Sequence, residues 1–331
     1  MSTASQNAQE AKPRSSKWVW AKRGMTLLCF ILVPVLVFML VKNLDWQEVR
    51  HALGSYKLST LSIGAGIVIA SYLTFASYDL LARRYIGHQV PTRQVLPLAF
   101  VCYAFNLNLG SWVGGIALRY RLYSKLGLDV PSITKILSLC LITNWLGYMF
   151  IAGTVFAMGL PDLPEGFKIG STGLRIIGFV IILLGLAYLV ACRFSKKRTW
   201  TVRKQEITLP SFKMALCQAC LGALNWGLMG LLVWSLLPEK VGYPTILAIL
   251  LISSIAGVIT HIPAGLGVLE TIFITLLQGQ YSKGALLAAL IAYRALYFLL
   301  PLAIACVVYL VLERKTRAVE KQRESGAGSG G

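Results

Sequence analysis

The stretch THIPAGLGVLET, residues 260–271, interrupts a run from Tyr243 to Gln278 that is otherwise almost continuously apolar. Within ten residues it places His261, Pro263, Gly265, Gly267 and Glu270. Proline and glycine are poor helix formers, and a carboxyl group is expensive in hydrocarbon. Irregular backbone at membrane depth is tolerated only where it is buried in protein or lines a wet cavity. The stretch therefore marks a break that the rest of the chain must accommodate.

Its surroundings are membrane throughout. Of 331 residues 56% are hydrophobic, and the mean hydropathy of +0.67 excludes an ordinary soluble domain. Apolar runs recur at 25–41, 58–82, 95–118, 133–158, 174–192, 212–237, 244–278 and 284–312. Each contains a stretch long enough to cross about 30 Å of hydrocarbon at 1.5 Å per residue. The longest polar connection, 193–213, is too short to house an enzyme domain. The first run lacks a small-residue cleavage site before Lys42 and is expected to stay as a helix rather than leave as a signal peptide. The tail Ser325–Gly331 reads as a flexible linker. All seven Cys lie in or at the ends of apolar runs, so Cys217-x-x-Cys220 reads as small packing residues rather than a metal site.

Charge gives an orientation. The net charge of +19 is concentrated: 24 of the 32 Lys and Arg fall in the N-terminal tail, 83–94, 119–135, 193–213 and the C-terminal tail. The positive-inside rule makes these segments cytoplasmic, with both termini inside. The basic fringe is then an orientation signal set against anionic headgroups, and no motif supports nucleic-acid binding.

Keeping all these segments on one side forces run 95–118 to begin and end inside. A re-entrant hairpin satisfies this, with its tip near Asn106, Asn108, Gly110 and Trp112. Run 244–278 then begins and ends outside, with its tip at the opening motif. Two tightly connected full crossings are the alternative in each case. A shift of 151 residues carries 25–41 onto 176–192, 58–82 onto 209–233, 133–158 onto 284–309, Gly114 onto Gly265 and Arg119 onto Glu270. The expected fold is an all-α polytopic membrane protein. It has about six full transmembrane helices and two broken re-entrant hairpins, arranged as inverted repeats, the plan in which interrupted segments line a midplane site. The organisation expected is a basic tail (1–24), a first repeat (25–158), a second repeat (174–312) and a C-terminal tail (313–331).

Arg294 is the sharpest single residue, about ten residues into 284–312, where an unpaired guanidinium is costly. Tyr293, Tyr297 and Pro301 stand within two turns of it. A forked guanidinium suits a phosphodiester, because it binds two oxygens at once. Glu270 has two readings: a group that handles a proton or a cation in a cavity, or the structural partner of Arg294. Amides freed around Pro263, Gly265 and Gly267 can receive a phosphate oxygen. His261 reads as a packing or backbone-bonding residue before a titrating one. Trp112, Gly114, Gly115, Arg119 and Arg121 form the counterpart in the first hairpin and read as a headgroup site, although the positive-inside rule alone explains part of that signal. Asp79 and Arg83 are spaced for an intrahelical pair. No nucleophile and base arrangement, paired carboxylates or metal spacing is present, so no enzyme activity and no cofactor is expected.

HIPAGLGVLE (261–270), AYRALYFLLP (292–301) and NLGSWVGGIALRYRLYSKLGL (108–128) resemble the lysylphosphatidylglycerol synthase transmembrane-region family, in the form of its stand-alone inner-membrane members from Gram-negative bacteria. The resemblance spans about residues 18–315 and implies a flippase-like membrane domain. The soluble aminoacyl-transferase domain of fused members has no counterpart here, so the resemblance does not carry aminoacylation or a lysyl-lipid substrate with it. The expected function is transport of a phospholipid or another lipid-linked phosphate across or within the bacterial inner membrane. The rival readings are a membrane-embedded transferase using Glu270 or Asp79 as base, and a structural partner of a phospholipid-synthesising enzyme. Expected partners are membrane phospholipids, anionic ones foremost; a lipid-synthesising enzyme and a second copy of the chain stay open.

Overall fold

The computed structural model describes residues 46–159, 170–196, 199–202, 205–238, 241–260, 265–277 and 279–327. The expected first helix (25–41), His261 and Pro263 lie outside the described residues, as does the side chain of Trp112. The chain is helical almost throughout. It runs through α1 (Trp46–Gly54), α2 (Leu58–Ile86), α3 (Thr92–Leu109) and a π-helical segment (Ser111–Ala117) into α4 (Leu118–Lys125). Then come α5 (Val130–Ala157), α6 (Gly170–Phe194), α7 (Phe212–Leu236), α8 (Tyr243–Thr260) and α9 (Val268–Leu277). The last long helix is α10 (Lys283–Arg294), a second π-helical segment (Ala295–Leu299) and α11 (Leu300–Ala327) without interruption. That helix continues into the stretch read from sequence as a linker.

Among the described residues, six helices are long and apolar enough to cross a membrane: 58–86, 130–157, 172–194, 212–236, 243–260 and 283–314. Five coincide with runs expected to be full crossings, and the sixth is the first arm of the interrupted run. A short antiparallel hairpin, β1 (Thr199–Val202) and β2 (Gln205–Thr208), pairs Thr199 with Thr208 and Val202 with Gln205 in the basic connection. Threonine, tryptophan, valine and isoleucine favour strands, which is the local reason for this small departure from an all-helical chain.

Both sequence interruptions are chain reversals. Gly110 closes α3 in the left-handed region at φ 83°, and the π-helical segment folds back along the helix it follows. The arms are so close that a Cβ on Gly114 would lie 2.2 Å from the Phe105 carbonyl carbon. The described residues after the second interruption behave alike. Gly265 and Gly267 have φ of 57° and 80°, and α9 returns against α8.

The bundle is organised around α5, which packs on α2, α6 and α7, while α3 lies between α2 and α11. Its interior is unusually aromatic: Tyr78, Tyr123, Tyr293, Tyr297, Phe105 and Phe273 are among the largest fully buried side chains. α6 instead presents Ile176, Phe179, Leu183 and Val190 outward, as a helix facing lipid does. Small residues set the closest helix crossing, because helices in lipid associate by packing rather than by escape from water. A Cβ on Gly222 of α7 would come within 2.2 Å of the Thr143 carbonyl oxygen on α5. Gly222→Ala is therefore expected to destabilise the protein by about 1–3 kcal/mol, the usual range for overpacking. Gly66→Ala, whose new Cβ meets nothing within 4 Å, should leave stability unchanged or raised. Thermal unfolding of the two variants in detergent checks this, and equal melting temperatures would refute the packing argument.

Candidate functional site

The second hairpin converges on Arg294. This residue ends α10, eleven residues beyond Lys283 and hence about 17 Å along the helix, close to mid-span. Its Nε donates to Glu270 Oε1 at 2.5 Å and its Nη2 to Glu270 Oε2 at 3.0 Å, a two-pronged grip on one carboxylate. Nη2 also donates to the Gly265 carbonyl at 3.1 Å. Glu270 Oε2 accepts the Gly267 N–H at 2.9 Å. Glu270 is the third residue of α9, so it satisfies an orphan amide at the helix start and adds negative charge where the helix dipole favours it. The left-handed glycines thus turn one carbonyl and one amide toward a single ion pair. The pair is not sealed: the Arg294 and Glu270 side chains are 12% and 19% exposed.

Pro301 explains the second π-helical segment. Proline has no N–H, so the Tyr297 carbonyl loses its partner four residues on. The chain widens locally and the Leu300 N–H reaches back to the Ala295 carbonyl. The freed Tyr297 carbonyl accepts from Tyr72 Oη at 3.0 Å. One residue on, the Phe298 carbonyl accepts from Asn108 Nδ2 at 3.2 Å, and the Phe298 ring lies 5.7 Å from the Arg294 guanidinium carbon. Asn108 sits beside the tip of the first hairpin. The widened turn therefore bridges the two interrupted segments.

The same turn carries Tyr293 and Tyr297 into the core, stacked at 5.5 Å and nearly parallel. Tyr297 Oη lies 2.7 Å from Ser71 Oγ and 2.8 Å from Tyr103 Oη. Ser71 donates to Asn225 Oδ1 at 2.7 Å, and Tyr103 stacks on Phe75 at 3.5 Å. Both were expected beside a bound phosphodiester; Tyr297 is instead held in a buried hydrogen-bonded network, and Tyr293 is buried against its ring. The aromatic ring next to Arg294 that sequence reasoning missed is Phe298, four residues on in the same helix. Ser71, Tyr72 and Tyr103 were missed as well.

The first hairpin is pinned by a second ion pair, of a different kind. Arg119 Nη2 donates to Asp79 Oδ2 at 2.7 Å, with side chains 6% and 0% exposed. Tyr123 Oη donates to Asp79 Oδ1 at 2.9 Å, and the Arg119 guanidinium lies over the Phe75 ring. The expected Asp79 and Arg83 pair does not form. Arg83 donates to Thr92 Oγ1 at 2.8 Å, because the face of α2 carrying Asp79 turns inward to the hairpin. Arg121 and Lys125 share Glu313 of α11, at 3.1 and 2.5 Å. Arg119 and Arg121 are thus buried against carboxylates of the protein. Gly114 and Gly115 give close approach between the hairpin's own arms: a Cβ on Gly115 would meet Asn106 Oδ1 at 2.6 Å.

Long apolar helices joined by hydrogen-bonded ion pairs in their interior define a polytopic helical membrane protein. More particularly, the sequence profile of the lysylphosphatidylglycerol synthase transmembrane region matches residues 26–305, and the chain belongs to that family. It is 47% identical over 310 residues to the inner membrane protein YbhN of Escherichia coli, covering 93% of this chain and 98% of that protein. An uncharacterized Synechocystis protein, slr0712, is 28% identical over 288 residues, 86% of this chain and 89% of its own length. The chain is a multi-pass bacterial inner-membrane protein with a role related to membrane lipid.

The two ion pairs should respond differently to substitution. Asp79→Ala strands a guanidinium in a closed interior, where losing one partner of a buried pair costs about 3–5 kcal/mol. Replacing both partners by apolar residues, Asp79→Leu with Arg119→Met, should recover most of that loss. Glu270→Gln, in the more open pair, should lower the melting temperature much less. Thermal unfolding of the three variants decides it, and equal sensitivity at the two pairs would contradict the distinction.

Proposed function

We propose that this protein is a lipid flippase or transporter that moves a phospholipid, or another lipid-linked phosphate, across or within the inner membrane. On this reading the headgroup enters a midplane cavity between two re-entrant hairpins, which belong to inverted repeats, while the acyl chains stay in the bilayer. The observation that supports it is the two-pronged Arg294 and Glu270 pair at mid-span, partly open and flanked by the left-handed Gly265 and Gly267. An ion pair with only a structural task is better sealed, as Arg119 and Asp79 are.

The chemistry is an exchange of anions on one guanidinium. A phosphodiester presents two oxygens with the spacing of a carboxylate, and Arg294 binds either through the same fork. When phosphate takes the guanidinium, Glu270 keeps the Gly267 amide; when phosphate leaves, Glu270 reclaims Arg294. The carboxylate keeps the arginine from being an unpaired charge in hydrocarbon between substrates. The exchange needs no covalent step, which favours transport over a transferase.

Reconstituted protein should translocate fluorescent phosphatidylglycerol between leaflets of liposomes, read by quenching from outside. Arg294→Gln should fall to background. Arg294→Lys, which keeps the charge and loses the fork, should fall about tenfold or more, equivalent to about 1.4 kcal/mol. Background translocation by the wild-type protein, with anionic lipid and with ion gradients imposed, would overturn the proposal. So would a fully active Arg294→Gln.

A further inference from the structure

A groove of about 490 Å³ opens where the α2–α3 connection meets the α4–α5 connection, away from the ion pair of the second hairpin. Its polar lining is His88, Gln89, Gln94, Asp129 and Ser132. On a chain of net charge +19, the lining contains no Lys or Arg. The one charged side chain in the lining is the Asp129 carboxylate.

Two side chains there are short of partners. Neither ring nitrogen of His88 has a hydrogen bond within the protein, although both are shielded from solvent. A buried polar atom in that condition costs about 1–3 kcal/mol until something meets it. Asp129 holds the N-cap position of α5, where aspartate is strongly favoured, yet its side chain accepts no capping hydrogen bond. Its carboxylate is exposed at the groove. Burial, with Arg83 adding to the effect and Asp79 opposing it, lowers the His88 imidazole below its ordinary value. The His88 ring stands edge-on to Tyr123, the residue that donates to Asp79, and this contact holds it at the groove wall. Arg83 donates to Thr92 and does not line the groove, although its charge reaches His88.

We propose that this groove is a separate binding site for a phosphoethanolamine group, with the primary ammonium inside it. An ammonium carries three donors and no acceptor. The groove offers it a carboxylate at Asp129, the carboxamide oxygens of Gln89 and Gln94, and the Ser132 hydroxyl, with His88 in the wall beside them as the group that senses occupancy. The phosphate then lies toward the rim, where Arg93 is exposed beside Gln94. The group comes from a zwitterionic lipid headgroup or from a free amine phosphate. This site does not depend on lipid exchange at Arg294.

The chain has three His, so His88 can be followed singly by NMR of histidine-labelled protein, its signal assigned by its loss in His88→Gln. The protein is held in nanodiscs of phosphatidylglycerol and phosphatidylcholine, and O-phosphoethanolamine is titrated in. A second sample contains phosphatidylethanolamine in the nanodisc instead. A saturable His88 shift in the titration assigns a soluble ligand, and a shift only with the ethanolamine lipid assigns a headgroup. In either arm Asp129→Asn should weaken the response roughly tenfold, as should the choline analogue, which has the charge without N–H donors. Asparagine is as favoured as aspartate at an N-cap position, so Asp129→Asn keeps the start of α5. No saturable shift in either arm would overturn the proposal, as would equal responses to the choline analogue or from Asp129→Asn.

Discussion

Hydrocarbon has no hydrogen-bond partner to offer, so each amide, carbonyl or charge that a helix break releases at depth must be answered by the protein. This constraint accounts for the centre of the molecule. The carbonyl of Gly265 and the amide of Gly267 are met by Arg294 and Glu270, which also meet each other. The carbonyls released around Pro301 are met by Tyr72 and Asn108. Because Asn108 belongs to the first hairpin and Arg294 grips the second, satisfying the backbone also ties the two interruptions to one helical turn.

The same constraint separates the two ion pairs. Arg119 and Asp79 are enclosed by Tyr123, Phe75 and Cys140, and their partners leave no opening for an exchange. They hold the returning arm of the first hairpin against α2. Arg294 and Glu270 pair as strongly in geometry but remain partly open, between glycine backbone and the Phe298 ring. A guanidinium at mid-span with one removable anion can hold another in its place. That difference in enclosure is the physical basis for proposing a structural role for one pair and a transport role for the other.

Much of this was legible from residue types and spacing. Runs of apolar residues located the long helices, since hydropathy over about twenty residues is a strong signal. Pro263, Gly265, Gly267 and Glu270 announced the second break, and the Arg294 and Glu270 pair was one of the two readings that residue types left open for Glu270. Other contacts were not legible. Asp79 had a candidate partner one turn away in Arg83, and only the packing of α2 on α4 and α5 shows that Arg119, forty residues on, takes it. Tyr293 and Tyr297 are equally at home beside a ligand or in a core. The widened turn at Ala295–Leu299, which depends on Pro301, decided for the core. Gly114 and Gly115 signalled close approach, but a glycine does not say whether what approaches is a headgroup or the preceding helix.

The central claim is that the Arg294 guanidinium is shared between Glu270 and the phosphate of an anionic lipid. Native mass spectrometry of the protein released from nanodiscs of mixed phosphatidylglycerol and phosphatidylcholine tests it directly. Removing the competing carboxylate with Glu270→Gln should increase retained phosphatidylglycerol relative to the wild-type protein, and Arg294→Gln should reduce it below wild type. Identical retention by all three proteins would contradict the account.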